Sequence, residues 1–559
     1  MMYRLFNTHL IRKEIALPDV WDLRVPGKDE LKIPVPSCVE TIPSLANYKG
    51  ECVISTNKRF EGHCRLIFKG VGFNAEISVD GETLGTHYGA YGEFSFIIKN
   101  AEDKEHSIKV KCNNTYSEES TLHIPNDYYS YLGITRPAYI EKINEAYIKW
   151  IHITPYFKNG EWKLNAEICV ENIEDFDGEY NLKLFITDSD STVENFLSEI
   201  SFPVQIKANS ETRFNFTLNC PYIEEYKLNN PVMYFAHARL CDKQNKAFDD
   251  LIERFGFRET KVVGNKIFFG GEEIKIKGFN RHEDLADFGS SIPLAAMHRD
   301  IMLIKDSGAN TVRTCHYPND ERFLDLCDEY GILVWEEGHA RAINEERMRH
   351  KNFLPQSRLS ITEMITNHFN HPSIFVWGLL NECVSFNEFG RSCYKELIDL
   401  IRSLDPHRPV TFASCHLKRD ICLDLVDIVS YNMYPKWYED EPCYDYVDDC
   451  IKYVKTHGGE NKPFIVSEIG AGAIYGYRTN TNCIWSEEFQ AEALEEQLTA
   501  CFNHKDVNGV LIWQFADCRV DNTVDWSMRR PKTQNNKGIF DSYRRDKLAY
   551  KVVKDIFTK

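Results

Sequence analysis

Glu382 closes the run WGLLNE (377–382), and Glu468 lies in PFIVSEIG (463–470). Each run is too short and too rich in β-formers for a helix, so each reads as a buried strand ending in a carboxylate. In a barrel of parallel strands the carboxyl ends face the loops that open to substrate, and an acid there reads as chemistry. Two carboxylates facing one cleft suit glycoside hydrolysis. One is kept protonated to donate to the leaving oxygen, and one is ionised to attack or to activate water.

Such acids need strands to hold them, and the chain supplies eight candidates: IKIKGF (274–279), TVRTCH (311–316), ILVWEE (332–337), IFVWGLLNE (374–382), PVTFAS (409–414), DIVSYNMY (427–434), PFIVSE (463–468) and VLIWQFAD (510–517). Helical patterns lie between them. Phe323, Leu324, Cys327 and Tyr330 form one apolar stripe, and Cys393, Leu397, Ile401 and Leu404 form another. Eight βα units in about 300 residues predict a (β/α)8 TIM barrel over 261–559. An open doubly wound sheet would show a Gly-rich first turn, which is lacking here.

The front of the chain has a different pattern. In FNAEISVDGETLGTH, Ala75, Ile77 and Val79 alternate inward and Asp80-Gly81 supplies a turn. KLNAEICVENI, EYNLKLFIT and TRFNFTLN repeat the alternation, which predicts two all-β domains, 1–145 and 146–260. The 559 residues carry 43% hydrophobic and 27% charged side chains and a net charge of −18, a soluble globular balance that argues against nucleic acid or anionic membrane as a partner. An acidic chain that binds an acidic substrate needs local positive charge in its site. The 18 cysteines show no CxxC pair. With no run of 18 apolar residues and no cleavable leader, the expectation is a cytoplasmic protein with free thiols.

Polar groups gather at the predicted strand ends: Asn280, Arg281, His282, Glu283 and Asp284; Arg313 and His316; Glu336 and Glu337; Asn381 and Glu382; Asn432 and Tyr434, with Trp437 and Tyr438 beyond; Glu468; and Trp513, Gln514 and Asp517. Carboxylates, amides and rings around one mouth suit a polyhydroxylated sugar ring. The bland readings compete: a lone Glu after a strand is commonly an ion-pair partner, and His282 with His316 lacks the spacing of a metal site. Spacing alone does not choose the two working acids among Asp284, Glu336, Glu337, Glu382, Glu468 and Asp517.

These stretches resemble glycoside hydrolase family 2, and within it the β-glucuronidases. The likeness runs through GFNRHED (278–284), NTVRTCHYP (310–318), HPSIFVWGLLNE (371–382), NMYPKWY (432–438), SEIGAGAIYG (467–476), WSEEFQ (485–490) and IWQFAD (512–517), with FGFRE (255–259) and NDYYSYLGITRP (126–137) in the front half. It implies a multidomain chain: an N-terminal β jelly-roll, an immunoglobulin-like β-sandwich and the barrel. Carried over residue by residue, Glu382 is the acid/base and Glu468 the nucleophile of a retaining double displacement. Asn381 bonds the sugar 2-hydroxyl, and Asp127 contacts sugar hydroxyls. His282, Arg313, Tyr434, Tyr438 and Trp513 shape the pocket. Arg313 and Tyr434 are expected to lower the Glu468 pKa, and Trp377 with Trp513 to raise that of Glu382.

Asn535 and Lys537 stand as the family's Asn-x-Lys pair that grips a uronate carboxylate, which implies a small-molecule or glycan β-glucuronide as substrate. Departures are Ile469, where many relatives carry tyrosine, and Pro531, where some carry an arginine that Arg529 or Arg530 would replace. The segment 337–362 is short, so the mouth is expected to be open. The alternatives are a β-galacturonidase or β-galactosidase on the same scaffold, or a non-catalytic carbohydrate-binding protein. The resemblance implies no metal, no required cofactor and a homo-oligomer. Some similar microbial members hold a flavin nucleotide at a remote site, and no residues here mark one.

Overall fold

Long antiparallel strands build the first domain of the computed structural model, which describes residues 3–525 and 529–559. Glu51–Phe68 and Phe94–Asn113 pair along nearly their whole length, with register shifts on either side of Gly62. A bulge bends a strand and increases its twist. Gly62 has φ +76, a region glycine enters without a Cβ clash. Ala75, Ile77 and Val79 are buried as their alternation predicts. Asp80 and Gly81 both take positive φ, the conformation a two-residue hairpin turn of this kind requires. The strands enclose Trp21, Ile54, Leu66, Phe68 and Ile140 in a jelly-roll core.

The second domain is an immunoglobulin-like sandwich. Ala146–Lys158, Glu161–Asn172 and Ser210–Asn219 form one sheet, and Ser198–Ile206, Gly178–Thr187, Tyr234–Cys241 and Ala247–Phe255 form the other. Trp162, Leu164, Ile186 and Phe257 lie in its core.

The third domain is a closed barrel of eight parallel strands: β1 (Ile276–Asn280), β2 (Thr311–Thr314), β3 (Leu333–Glu337), β4 (Ile374–Asn381), β5 (Val410–Ser414), β6 (Val429–Asn432), β7 (Phe464–Ile469) and β8 (Val507–Ile512). Strand β8 starts three residues before the predicted run and stops before Trp513. Gly509, which would break an alternating pattern, is needed where a Cβ would come within 2.2 Å of the Ile276 Cβ. Helices between the strands are capped locally: Asp320 accepts from Arg322 N, Ser486 from Phe489 N, and Gly331 ends its helix at φ 63.

Period-two alternation sorts each strand into two faces. Val334, Val466, Val510 and Ile512 point to the helices, whereas Leu333, Trp335, Ile465 and Leu511 fill the barrel interior with Ile276 and Phe375. Ile267 and Phe269, from the short strand Lys266–Phe269, close the bottom of that apolar plug. Farther along the strands the same alternation brings Arg313, Glu337 and Asn432 inward, and a register shift in β4 between Gly378 and Asn381 accompanies the inward turn of Asn381, so a polar layer sits on an apolar one. Among the described residues no helix is long and apolar enough to cross a membrane.

A Cβ on Gly378 would lie 2.2 Å from the Trp335 Nε1, so glycine there makes room for the indole that floors the polar layer. Gly378→Ala should cost about 1–3 kcal/mol of stability by overpacking. An unchanged urea midpoint would show that the ring moves aside freely.

Candidate active site

Arg313 is fully buried at the end of β2 and holds the polar layer together. Its Nε donates to Glu337 Oε2 at 2.6 Å, and its Nη1 donates to Asn280 Oδ1 at 2.7 Å and to Glu468 Oε1 at 3.0 Å. Its Nη2 donates to Asn381 Oδ1 at 2.8 Å. His316 Nδ1 lies 2.9 Å from the other Glu337 oxygen. The Tyr434 hydroxyl donates to Glu468 Oε2 at 2.6 Å, so each Glu468 oxygen has its own donor.

Glu382 follows β4 in a left-handed conformation, φ 54, that costs a non-glycine residue about 1–2 kcal/mol. The turn is fixed by Glu382 N donating to Ala413 O at 2.9 Å and Asn381 N donating to Ala340 O at 3.0 Å. Asn432 Nδ2 reaches both Asn381 Oδ1 and Glu382 Oε1 at 3.0 Å, while its own carbonyl accepts from the Ser467 hydroxyl at 2.8 Å. Asn381 thereby spends its carbonyl on protein donors and keeps its buried Nδ2 without a partner. A donor so placed can bond a sugar hydroxyl.

The first domain completes the wall. Asp127 Oδ2 accepts from Asn535 Nδ2 and from Arg530 Nη2, each at 3.2 Å, and Asp127 Oδ1 lies 3.3 Å from Arg341 Nη1. Burial alone would raise the Asp127 pKa, but the guanidiniums of Arg341 and Arg530 hold it well below the usual carboxylate range. Arg341 also reaches Glu382 Oε2 at 3.5 Å. Lys537 is buried, donates to the Tyr438 hydroxyl at 2.7 Å, and lies 4.8, 5.6 and 4.7 Å from the ring centroids of Tyr434, Trp437 and Tyr438. It forms no ion pair with a carboxylate among the described residues. Burial pushes its pKa down. His282 and Trp513 meet edge to face with centroids 5.3 Å apart, and the His282 Nε2 is unpartnered.

All eleven residues expected at the site, Asp127, His282, Arg313, Asn381, Glu382, Tyr434, Tyr438, Glu468, Trp513, Asn535 and Lys537, therefore form one connected cluster. The other candidate acids are occupied elsewhere. Asp284 accepts from the Tyr131 hydroxyl at 2.8 Å, Glu336 lies 2.8 Å from His368 Nδ1, and Asp517 accepts from Lys547 at 2.7 Å. Glu337 belongs to Arg313. The buried trio Asp325, Asp328 and His371 has metal-like spacing, but Arg4 and Arg254 reach Asp325 at 2.9 and 3.1 Å and supply its positive charge. Two readings are corrected. Trp377 does not line the Glu382 pocket: it packs in the cluster on the helix side of the barrel wall, where its Nε1 donates to Asp405 at 2.9 Å. Trp513 stacks on His316, 5.1 Å between centroids. Sequence reasoning also missed Arg341, which lies in the loop past β3 rather than at a strand end, and gave Asn432 no role.

The net pKa of Glu468 is the second correction. Burial pushes it up to about 7, and Glu382 adds to that; Arg313 and Tyr434 pull it down without offsetting the burial. As the nucleophile that the family resemblance implies, Glu468 would have to be ionised, so kcat/KM should fall as pH drops through about 7. The carboxyl is raised from an unfolded value of about 4.3, so the folded state holds the extra proton. The stability it contributes is present below that lower value and is lost as pH rises through about 7. The wild type should lose on the order of 3 kcal/mol between pH 4 and pH 8 that Glu468→Gln does not lose. Parallel stability–pH curves for the two proteins would refute this.

The sequence model for glycosyl hydrolases family 2, TIM barrel domain, matches residues 260–559, and a second family 2 model matches 146–258. A solved GH2 β-galacturonidase from Eisenbergiella tayi bound to galacturonate superposes with a TM-score of 0.96 at 46% identity, covering 100% of this chain and 99% of that one. A β-glucuronidase of Paenibacillus borealis is 25% identical over 95% of this chain and 92% of its own length. A putative β-glucuronidase of Formosa agariphila is 26% identical over 88% of this chain, which spans 58% of that longer protein. The chain belongs to glycosyl hydrolase family 2 and is a glycoside hydrolase.

Proposed function

We propose that the protein is a retaining β-uronidase whose substrate is a β-D-galacturonide. The observation that carries the uronide is Lys537, a buried ammonium held by tyrosine and tryptophan rings without a carboxylate of its own. Burying a cation is costly unless something pairs with it, and a sugar carboxylate supplies that pair. Asn535 and Arg530 stand beside it, Arg530 taking the place expected for a second cation. The choice of galacturonide is supported by the β-galacturonidase from Eisenbergiella tayi at 46% identity over the whole chain. The curated relatives at 25–26% identity favour a β-glucuronide, the second reading. The two sugars differ only in the direction of the 4-hydroxyl.

In this reading Glu382 protonates the glycosidic oxygen while Glu468 attacks the anomeric carbon and forms a glycosyl ester. Glu382 then takes a proton from water, which attacks the same carbon and releases the sugar with its β configuration retained. Asn381 Nδ2 bonds the 2-hydroxyl. Arg341 links Glu382 to Asp127, so the proton donor and the hydroxyl-binding wall keep one geometry.

Nitrophenyl β-D-galacturonide should be hydrolysed fastest, the glucuronide more slowly and the neutral galactoside least. Proton NMR should show the β-anomer first, and an α-anomer would sink the mechanism. Lys537→Ala should lower kcat/KM for the uronides by about 30-fold to several thousand-fold, the loss of a partly buried charge pair, and spare the galactoside. Equal losses on all three substrates would make Lys537 a structural lysine. A glucuronide preferred over the galacturonide would restore the second reading.

A further inference from the structure

A cavity of 230 Å3 lies at the opposite end of the barrel from the active site, between the immunoglobulin-like domain and the segments that precede β4 and β5. Thr154, Arg258, Thr260, Asp405, His407 and Arg408 are among its walls. Most of its charges are already matched. Arg408 donates to Asp405 at 2.6 Å and to the carbonyls of Ile374, Phe369 and His371. Asp405 also accepts from Trp377 and from the His407 backbone N, each at 2.9 Å. Glu259 accepts from Lys261 at 2.6 Å.

Arg258 is the exception. Its Nε and Nη2 donate to the carbonyls of Pro372 and Ile374 at 3.0 and 3.1 Å, and it makes no ion pair among the described residues. Burial and the neighbouring Arg408 lower its pKa, Asp405 opposing them, yet a guanidinium stays charged at neutral pH. On the wall of the same cavity Thr260, 8% exposed, has a buried hydroxyl without a partner. Buried polar groups are nearly always bonded, and an unpaired hydroxyl sharing one cavity with a half-buried guanidinium that lacks an acid is the donor set of an oxyanion site.

We propose that this cavity binds a compact oxyanion, a phosphate or carboxylate group, gripped by Arg258 and Thr260. The anion would sit between two domains and brace the barrel foot against the sandwich. Neither residue belongs to the catalytic cluster, so the site is independent of the substrate assignment. Calorimetric titration of the full-length protein with inorganic phosphate, and separately with acetate, tests it. The expected result is one binding event, weakened roughly tenfold or more in Arg258→Gln and roughly threefold in Thr260→Val, with hydrolysis unchanged in both. The event should persist in Lys537→Ala, which removes the cation of the catalytic pocket. Thr260→Val decides the question if Arg258→Gln fails to fold. Absence of binding by either anion, binding untouched by the cavity substitutions, or binding abolished by Lys537→Ala would overturn the proposal.

Discussion

The catalytic layer depends on one buried cation. Arg313 touches groups carried by β1, β3, β4 and β7 through Asn280, Glu337, Asn381 and Glu468. A guanidinium out of water is tolerable only when its charge is matched and its donors are used, and here two carboxylates match it. Because its fork is planar and rigid, the same contacts that neutralise it also fix the angles between strands' side chains. Glu468 and the turn that carries Glu382 are thus set by a single residue that is itself placed by barrel alternation. Below it Trp335 excludes water, at 5.0 Å between the guanidinium carbon and the ring centroid.

An acidic protein that takes an acidic sugar, as proposed above, needs its positive charge where the sugar's carboxylate arrives. The chain carries −18 overall, yet Lys537, Arg530 and Arg341 converge around Asp127. Asp127 holds two of these cations in register and leaves Lys537 free of any ion pair among the described residues. The arrangement separates two tasks. Arg313 bonds Glu468 directly, while Lys537 bonds the Tyr438 hydroxyl and Arg530 bonds Asp127.

Much of this was legible from residue order. Seven barrel strands fell within a few residues of their predicted runs, because parallel strands buried on both faces read as continuous apolar segments. Strand β8 was misplaced because Gly509 hides its start. The two carboxylates to which the resemblance gives attack and protonation were not separable by spacing, since Asp284, Glu336, Glu337 and Asp517 end strands in the same way. What distinguishes them is whom they bond, and that is a tertiary fact. The Glu468 pKa went wrong for a related reason: its partners were named correctly, but the burial that outweighs them has no local signature. Arg341 escaped notice because a loop cation becomes meaningful only when two distant acids close on it.

Two strand-end acids outside the catalytic cluster tie the first domain to the barrel. Glu283 accepts from Arg136 at 2.7 Å and Asp284 from the Tyr131 hydroxyl at 2.8 Å, and Tyr91 stacks on Tyr317 with centroids 4.0 Å apart. The first two contacts join the loop after β1 to the segment that carries Asp127, and the third joins the loop after β2 to another loop of the first domain. Asp127 in turn bonds Asn535, Arg530 and Arg341, three barrel residues that the first domain thereby holds in one cluster. The jelly-roll therefore acts as a fixed wall of the pocket. Glu283 and Asp284, acids that end a strand as the catalytic candidates do, are the latches that hold that wall against the barrel.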